Sequence, residues 1–457
     1  MNPIYKQNNN SVECTGESAI LSQIAECLNS NQSEDYDSLV SSLRNRIENK
    51  EVSAQEVITS SVIPPLLSLL DSRNPSAFYN ILDVLILIYS SSTKDQRQIL
   101  ADYGIHSTLV NVLSSVEEDD LPQVLFTLSH ICLCGSDEQM NLSDNEIWPT
   151  LDMILENHQG NVEVIKYTSM LLACLVKPMD AAYSNASRIY SVMGTILQAL
   201  DTSIDVLCDD LSPTEDMSHL HDHAIIVYNL LLCVYVATLP QGDDQTESEE
   251  IITSFSGTLI PLLIELTTEK HYVLAVRILA NLVVSSLQTL EVMIDNGVLE
   301  ALKSFVEDEA SILDQHVDLQ YARWMVLFIL SNVVTADESV IERVVASGVC
   351  QRIIAVMKDN RQNKGLFKEF VFFLSNLICS ASPEQRREVI TPDCVDVLIG
   401  MMKCKDDDVC SVAATALDVL IDDGMPVDLN KTVVLHDADY SASSIPYSPF
   451  DSLSLSD

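Results

Sequence analysis

Three asparagines close apolar runs, in Arg277-Ile-Leu-Ala-Asn281, Phe328-Ile-Leu-Ser-Asn332 and Phe372-Phe-Leu-Ser-Asn376. A side-chain amide donates and accepts at once, so it can pair with the main chain of another polypeptide whatever side chains that polypeptide carries. An Asn near a turn can equally serve the backbone of its own helix end. Two other groups have chemically useful types. His219-Leu-His-Asp-His223, preceded by Asp216, has the residue types of a metal site, but its setting in a polar insertion reads as a solvated loop. Cys132-Leu-Cys134 lacks the two-residue spacing of a redox or zinc pair and is expected to straddle a helix end. No Ser-His-Asp arrangement, Walker signature or glycine loop appears; neither an enzyme nor a cofactor or metal is expected.

The elements that carry these residues recur. One unit runs through Ala275–Val284, then Glu291-Val-Met-Ile-Asp-Asn-Gly297, then Val298–Phe305, and returns at Leu327–Asn332 with Gly348 and at Phe372–Asn376 with Pro392-Asp393. Earlier copies are Leu82–Tyr89 followed by Gly104, Leu125–His130 followed by Asn145, and Ser169–Cys174. With Asn281 as marker, the equivalents Ile88, His130, Cys174, Asn281, Asn332 and Asn376 are separated by 42, 44, 107, 51 and 44 residues. The 107-residue gap holds two units and extra polar chain. A period of about 40 to 47 belongs to armadillo or HEAT repeats. Apolar residues at i, i+3, i+4 and i+7, as in Ile63, Leu66, Leu67 and Leu70, give each helix a stripe that a neighbouring repeat must cover. The expected fold is an all-α, right-handed α-solenoid of about nine armadillo- or HEAT-type repeats over residues 17–424. Polar insertions at 209–223 and 241–250 are expected as loops, and residues 1–16 and 425–457 as flexible tails, the second acidic and Ser-rich.

Composition agrees. Of 457 residues 47% are hydrophobic, enough for an ordinary core, while 12 Gly and 15 Pro are too few for a turn-rich β fold. Lys plus Arg number 25 against 67 Asp plus Glu, a net charge of −42. That balance disfavours nucleic acid and anionic membranes and favours a basic protein partner. The longest apolar run, Ala224 to Leu239, has 16 residues and contains Asn229, short of the ~20 that span a bilayer; no secretory leader is visible in the first residues. The 12 cysteines form no compact framework, and most are expected as buried, reduced thiols.

At this level the chain resembles importin-α, the armadillo adaptor for nuclear localisation signals, over roughly Ser18 to Gly424, most specifically in its C-terminal half. Repeats of that family carry a Trp-x-x-x-Asn pair on the third helix. Arg277/Asn281 resembles the sixth repeat, where Arg also replaces Trp; Phe328/Asn332 resembles the seventh; Phe372/Asn376, with Glu369 three residues ahead, resembles the eighth. The resemblance implies that these repeats form a minor signal-binding groove. The Asn ladder would hold the main chain of a basic peptide, the aromatic walls would pack Lys or Arg stems, and Glu369 would take a charged end. In the first half the paired positions read Val84/Ile88, Phe126/His130 and Met170/Cys174. Phe126 and His130 are carried as candidate groove residues, His130 equally as a core histidine, and Val84, Ile88, Met170 and Cys174 as an apolar inner face. The basic importin-β-binding segment has no counterpart, Lys6 being the only basic residue before Arg44, so the resemblance does not extend to importin-β.

The function expected is an adaptor that carries basic cargo between cytoplasm and nucleus. The alternatives are a non-transport armadillo scaffold and an acidic chaperone for a basic protein.

Overall fold

The computed structural model describes residues 16–29, 36–143, 147–176, 182–208, 217–239, 246–269, 273–307, 319–359, 364–402 and 404–430. All regular structure among them is helical. The chain forms two compact units, Met1–Met179 and Asp180–Asp457.

Within each unit the helices come in threes, as in Lys94–Asp102, Ile105–Leu113 and Leu121–Leu133. Local chemistry sets the breaks. First helices start on side-chain caps: Ser53, Thr93 and Ser382 make capping boxes with Glu56, Gln96 and Gln385, and Ser286 and Asp337 cap without one. Each cap satisfies a backbone N–H that the first turn leaves without a partner. Between first and second helices the chain turns through left-handed backbone at Gly104 (φ 80°), Gly297 (φ 89°) and Gly348 (φ 75°), where any Cβ is strained.

The third helices stack on one another in a row. In the first unit these are α1 (Tyr36–Glu48), α2 (Phe78–Ser91), α3 (Leu121–Leu133) and α4 (Val162–Val176). In the second unit they are α5 (Met217–Ala237), α6 (Val273–Leu282), α7 (Leu319–Val333), α8 (Lys364–Ser380) and α9 (Asp407–Asp422). Each packs on the next within its unit, and second helices form a parallel row, Ile63–Asp71 on Ile105–Leu113 and Val298–Glu307 on Val349–Asp359. An inner row helix is therefore covered on both flanks and beneath. In α2, Ile81, Leu82, Val84, Leu85 and Ile88 are all fully buried, each such side chain contributing about 1.5 to 3 kcal/mol that a lone repeat could not supply.

Polar rungs join successive repeats. Arg97 donates to Glu138 at 3.0 Å, Lys368 to Asp406 at 2.7 Å and Arg386 to Asp423 at 2.5 Å, partners separated by 41, 38 and 37 residues. Arg386 also donates to the carbonyls of Ile378 and Ala381.

Three expectations need correction. Residues 217–223 of the first insertion are helical, forming the start of α5, and residues 246–250 of the second begin the helix Thr246–Glu269; residues 209–216 and 241–245 lie outside the described set, as do most of the expected tails. The helix containing the apolar run also reaches further back than hydropathy indicated. Ser218–Ala237 is 20 residues long and by length and composition could cross a membrane, although most of it is buried within the unit. Its polar first turns hid the extension.

Candidate functional site

Because a row helix is covered on three sides, one stripe at i, i+4 spacing stays partly open. In α6 the stripe is Arg277 and Asn281, set among buried Ala275, Val276, Ile278, Leu279 and Ala280. In α7 it is Trp324, Phe328 and Asn332, and in α8 Lys368, Glu369, Phe372 and Asn376. All seven C-terminal residues singled out from sequence are half-buried on these three consecutively packed helices.

Packing decides how each is held. The Arg277 guanidinium lies 4.8 Å from the Tyr235 ring centroid and donates to the Tyr235 hydroxyl at 3.1 Å. Asn281 Nδ2 donates to Thr238 Oγ1 at 3.1 Å, and Asn376 Nδ2 to the Ser331 carbonyl and hydroxyl at 3.1 and 3.0 Å. Two of the three amides are thus fastened to the preceding repeat. Asn332 Nδ2 instead donates to the Phe328 carbonyl of its own helix at 2.8 Å, the local use that sequence alone left open. Trp324 stacks on Phe328 with ring centroids 5.6 Å apart and planes 19° from parallel. Lys368 Nζ stands 5.9 Å from the Phe372 centroid while pairing with Asp406. Burial pushes the Glu369 carboxyl up to about 7, partly opposed by Lys368.

Trp324 and Tyr235 are absent from the sequence-based set. Trp324 could have been found as one more step of the same i, i+4 stripe, four residues before Phe328. Tyr235 could not, since only packing brings α5 beside α6.

The first unit differs from expectation. Val84 and Ile88 are fully buried and Cys174 is 2% exposed, so these three belong to the core and form no apolar inner face. Met170 is half-buried. The error is one of register: Gln123 reaches Asp83 at 3.5 Å and Phe126 meets Tyr167 edge-on at 5.7 Å, offsets of 40 and 41 residues in place of the 42 and 44 assumed. The open stripe is aromatic and polar. Phe126 and His130 lie on it with centroids 4.2 Å apart, and His130 Nδ1 is 3.2 Å from the Phe126 carbonyl oxygen; Lys166 sits 5.4 Å from the Tyr167 centroid. Further along, Arg44 pairs with Asp83 at 3.1 Å and donates to Asn80, which donates to Asp37 at 2.8 Å. Burial raises the Asp83 carboxyl, with Arg44 opposing it. Sequence reasoning missed this network.

The other candidates resolve simply. Cys132 is buried and Cys134 caps the end of α3, its thiol donating to the His130 carbonyl. His219 and His223 are one turn apart on α5 with centroids 4.7 Å apart, and no group of three or more metal-ligating side chains occurs among the described residues.

The armadillo/β-catenin-like repeat family matches residues 382–417. Importin subunit alpha-1 of Caenorhabditis elegans is 26% identical over 134 residues, 29% of this chain and 23% of that relative. The aligned part thus spans about a quarter of the relative. Among solved structures, one on the phosphorylation switch that controls the interaction between cadherin and β-catenin is similar at TM-score 0.62 and 14% identity, covering 89% of this chain and 78% of that one. An engineered protein is similar at TM-score 0.54 and 17% identity, covering 88% and 99%. Together with the helix triplets these findings show an all-α solenoid fold of the armadillo-repeat type.

Proposed function

We propose that the stripe on α6, α7 and α8 holds an extended, basic segment of a protein partner, as an importin-α-like adaptor does, and that the chain serves nuclear protein import from the cytoplasm. One observation carries the reading: three consecutively packed helices each present an amide, Asn281, Asn332 or Asn376, with Arg277, Phe328 or Phe372 one turn earlier on the same stripe. The Nδ2 bonds to Thr238 and Ser331 fix two of these amides, leaving Oδ1 to accept a peptide N–H. Phe328, backed by Trp324, and Phe372 provide faces for Lys or Arg stems, each exposed cation–π contact being worth about 0.5 to 1 kcal/mol. The charge of −42 draws such a ligand in.

The test is fluorescence polarisation with a lysine-rich peptide of the nuclear-localisation type. The double substitution Asn332→Ala, Asn376→Ala removes hydrogen bonds worth about 1 kcal/mol each and is expected to weaken binding by at least five-fold with the helical content unchanged. Equal affinity for both proteins rejects the groove. Salt separates this reading from the acidic-chaperone alternative, because diffuse charge pairing is lost as the screening length shortens to about 3 Å at 1 M while main-chain hydrogen bonds persist.

A further inference from the structure

The link between the helices Pro392–Met401 and α9 brings two thiols together. Cys404 Sγ lies 3.5 Å from Cys410 Sγ, and both residues are partly open to solvent. Cys404 points at one carbonyl, that of Asp406 at 3.4 Å, and Cys410 into a small collar of three, those of Cys404, Met401 and Met402 at 3.2, 3.5 and 3.6 Å. Between the two cysteines sits Asp406, which caps α9 by accepting from Val409 N–H and pairs with Lys368. The pair therefore closes around the segment that starts the last row helix and ties it to α8.

We propose that Cys404 and Cys410 are a redox modification site that closes to a reversible disulfide when the protein meets hydrogen peroxide. The separation is short enough that rotation about the two Cα–Cβ bonds and a small shift of the link bring sulfur to bonding distance, ~2.05 Å. The chemistry balances with peroxide as the only co-reactant. The Cys404 thiolate attacks one peroxide oxygen, the O–O bond breaks and water leaves after protonation, so that Cys404 becomes a sulfenic acid. The Cys410 sulfur then attacks Cys404 Sγ, the S–O bond breaks, a second water leaves and the S–S bond forms. Two thiols lose two electrons and two protons, and one peroxide is reduced to two waters. Burial and the contact with Cys404 raise the Cys410 thiol; thiolate is the reactive form, and the first attack is accordingly written from Cys404. A neutral oxidant suits this chain, since glutathione disulfide, an anion, is repelled by a net charge of −42. Of the other described cysteines, Cys27 and Cys379 are exposed as well, and they serve as internal controls for simple surface oxidation.

The full chain is treated with a few equivalents of hydrogen peroxide, its remaining thiols are alkylated after denaturation, and intact mass is followed by peptide mapping. The expected product keeps ten of the 12 thiols, carries a cross-link joining the peptides of Cys404 and Cys410, and recovers both thiols on treatment with dithiothreitol. Cys404→Ser and Cys410→Ser, near-isosteric changes checked for unaltered circular dichroism, each abolish the cross-link. In Cys410→Ser, Cys404 is expected to stop at sulfenic acid, trapped by dimedone. Amide exchange over 404–410 should slow in the oxidised wild type alone. The proposal is overturned if neither thiol is oxidised before Cys27 and Cys379, if the two oxidise separately to sulfinic acids without a cross-link, or if dithiothreitol fails to restore them.

Discussion

His106 provides the sharpest physical test of the first unit. It is 3% exposed, on the second helix of its repeat, with its ring edge-on to Tyr89 at 5.9 Å. Neither His106 Nε2 nor the Tyr89 hydroxyl finds a hydrogen-bond partner among the described residues. Burial alone lowers the imidazole from 6.5 to about 4, because nothing nearby stabilises the cation. The sign follows. Between those values the unfolded chain binds a proton that the folded chain refuses, so stability falls as pH drops from about 6.5 toward about 4. With 1.36 kcal/mol per unit, the loss relative to neutral pH is about 2 kcal/mol at about pH 5 and about 3 kcal/mol at about pH 4. His106→Leu removes the titrating group with little change in volume and is expected to be neutral or slightly stabilising at pH 7, as it also removes an orphaned polar atom. The chain has two tryptophans: Trp148, buried in the first unit, and Trp324 in the second. In a Trp324→Phe background, urea unfolding followed by Trp148 fluorescence reports the first unit. Carboxylates titrate in both proteins, so the difference between the two pH profiles isolates His106. Parallel profiles from pH 7 to 4 refute the argument.

Other expectations follow from single contacts. Arg386→Ala strands Asp423 and opens the carbonyls of Ile378 and Ala381; by the usual cost of breaking a buried pair it should cost about 3 to 5 kcal/mol, read as faster amide exchange in α9, with unchanged protection disproving the rung. Gly348→Ala puts a Cβ at φ 75° and should lower stability by about 1 to 2 kcal/mol, whereas the same change at Gly257, with open space around it and no left-handed backbone, should stabilise its helix. If Glu369 receives a cationic side chain, its carboxyl near 7 makes peptide affinity rise from pH 6 to 8; Glu369→Gln should flatten that profile, and a profile unaltered by the substitution excludes the contact.

The sequence alone showed the repeat. Apolar stripes at helical spacing, a period in the forties, and glycines at recurring places are properties of single chain segments, and they sufficed for an all-α solenoid. They also put Arg277/Asn281, Phe328/Asn332 and Phe372/Asn376 on one side of their helices, because i, i+4 geometry needs no neighbour. Relations between repeats were out of reach. Whether position 84 or position 83 faces outward depends on how α2 meets α1 and α3, and a shift of one residue turns a helix face by about 100°; that is why Val84 and Ile88 are core while Asp83 carries a rung to Arg44. The same holds for Tyr235 beneath Arg277. Helical periodicity is written in the order of residues; the register between stacked helices is decided by packing, where the best filling of space fixes which side chains touch across some forty residues of chain.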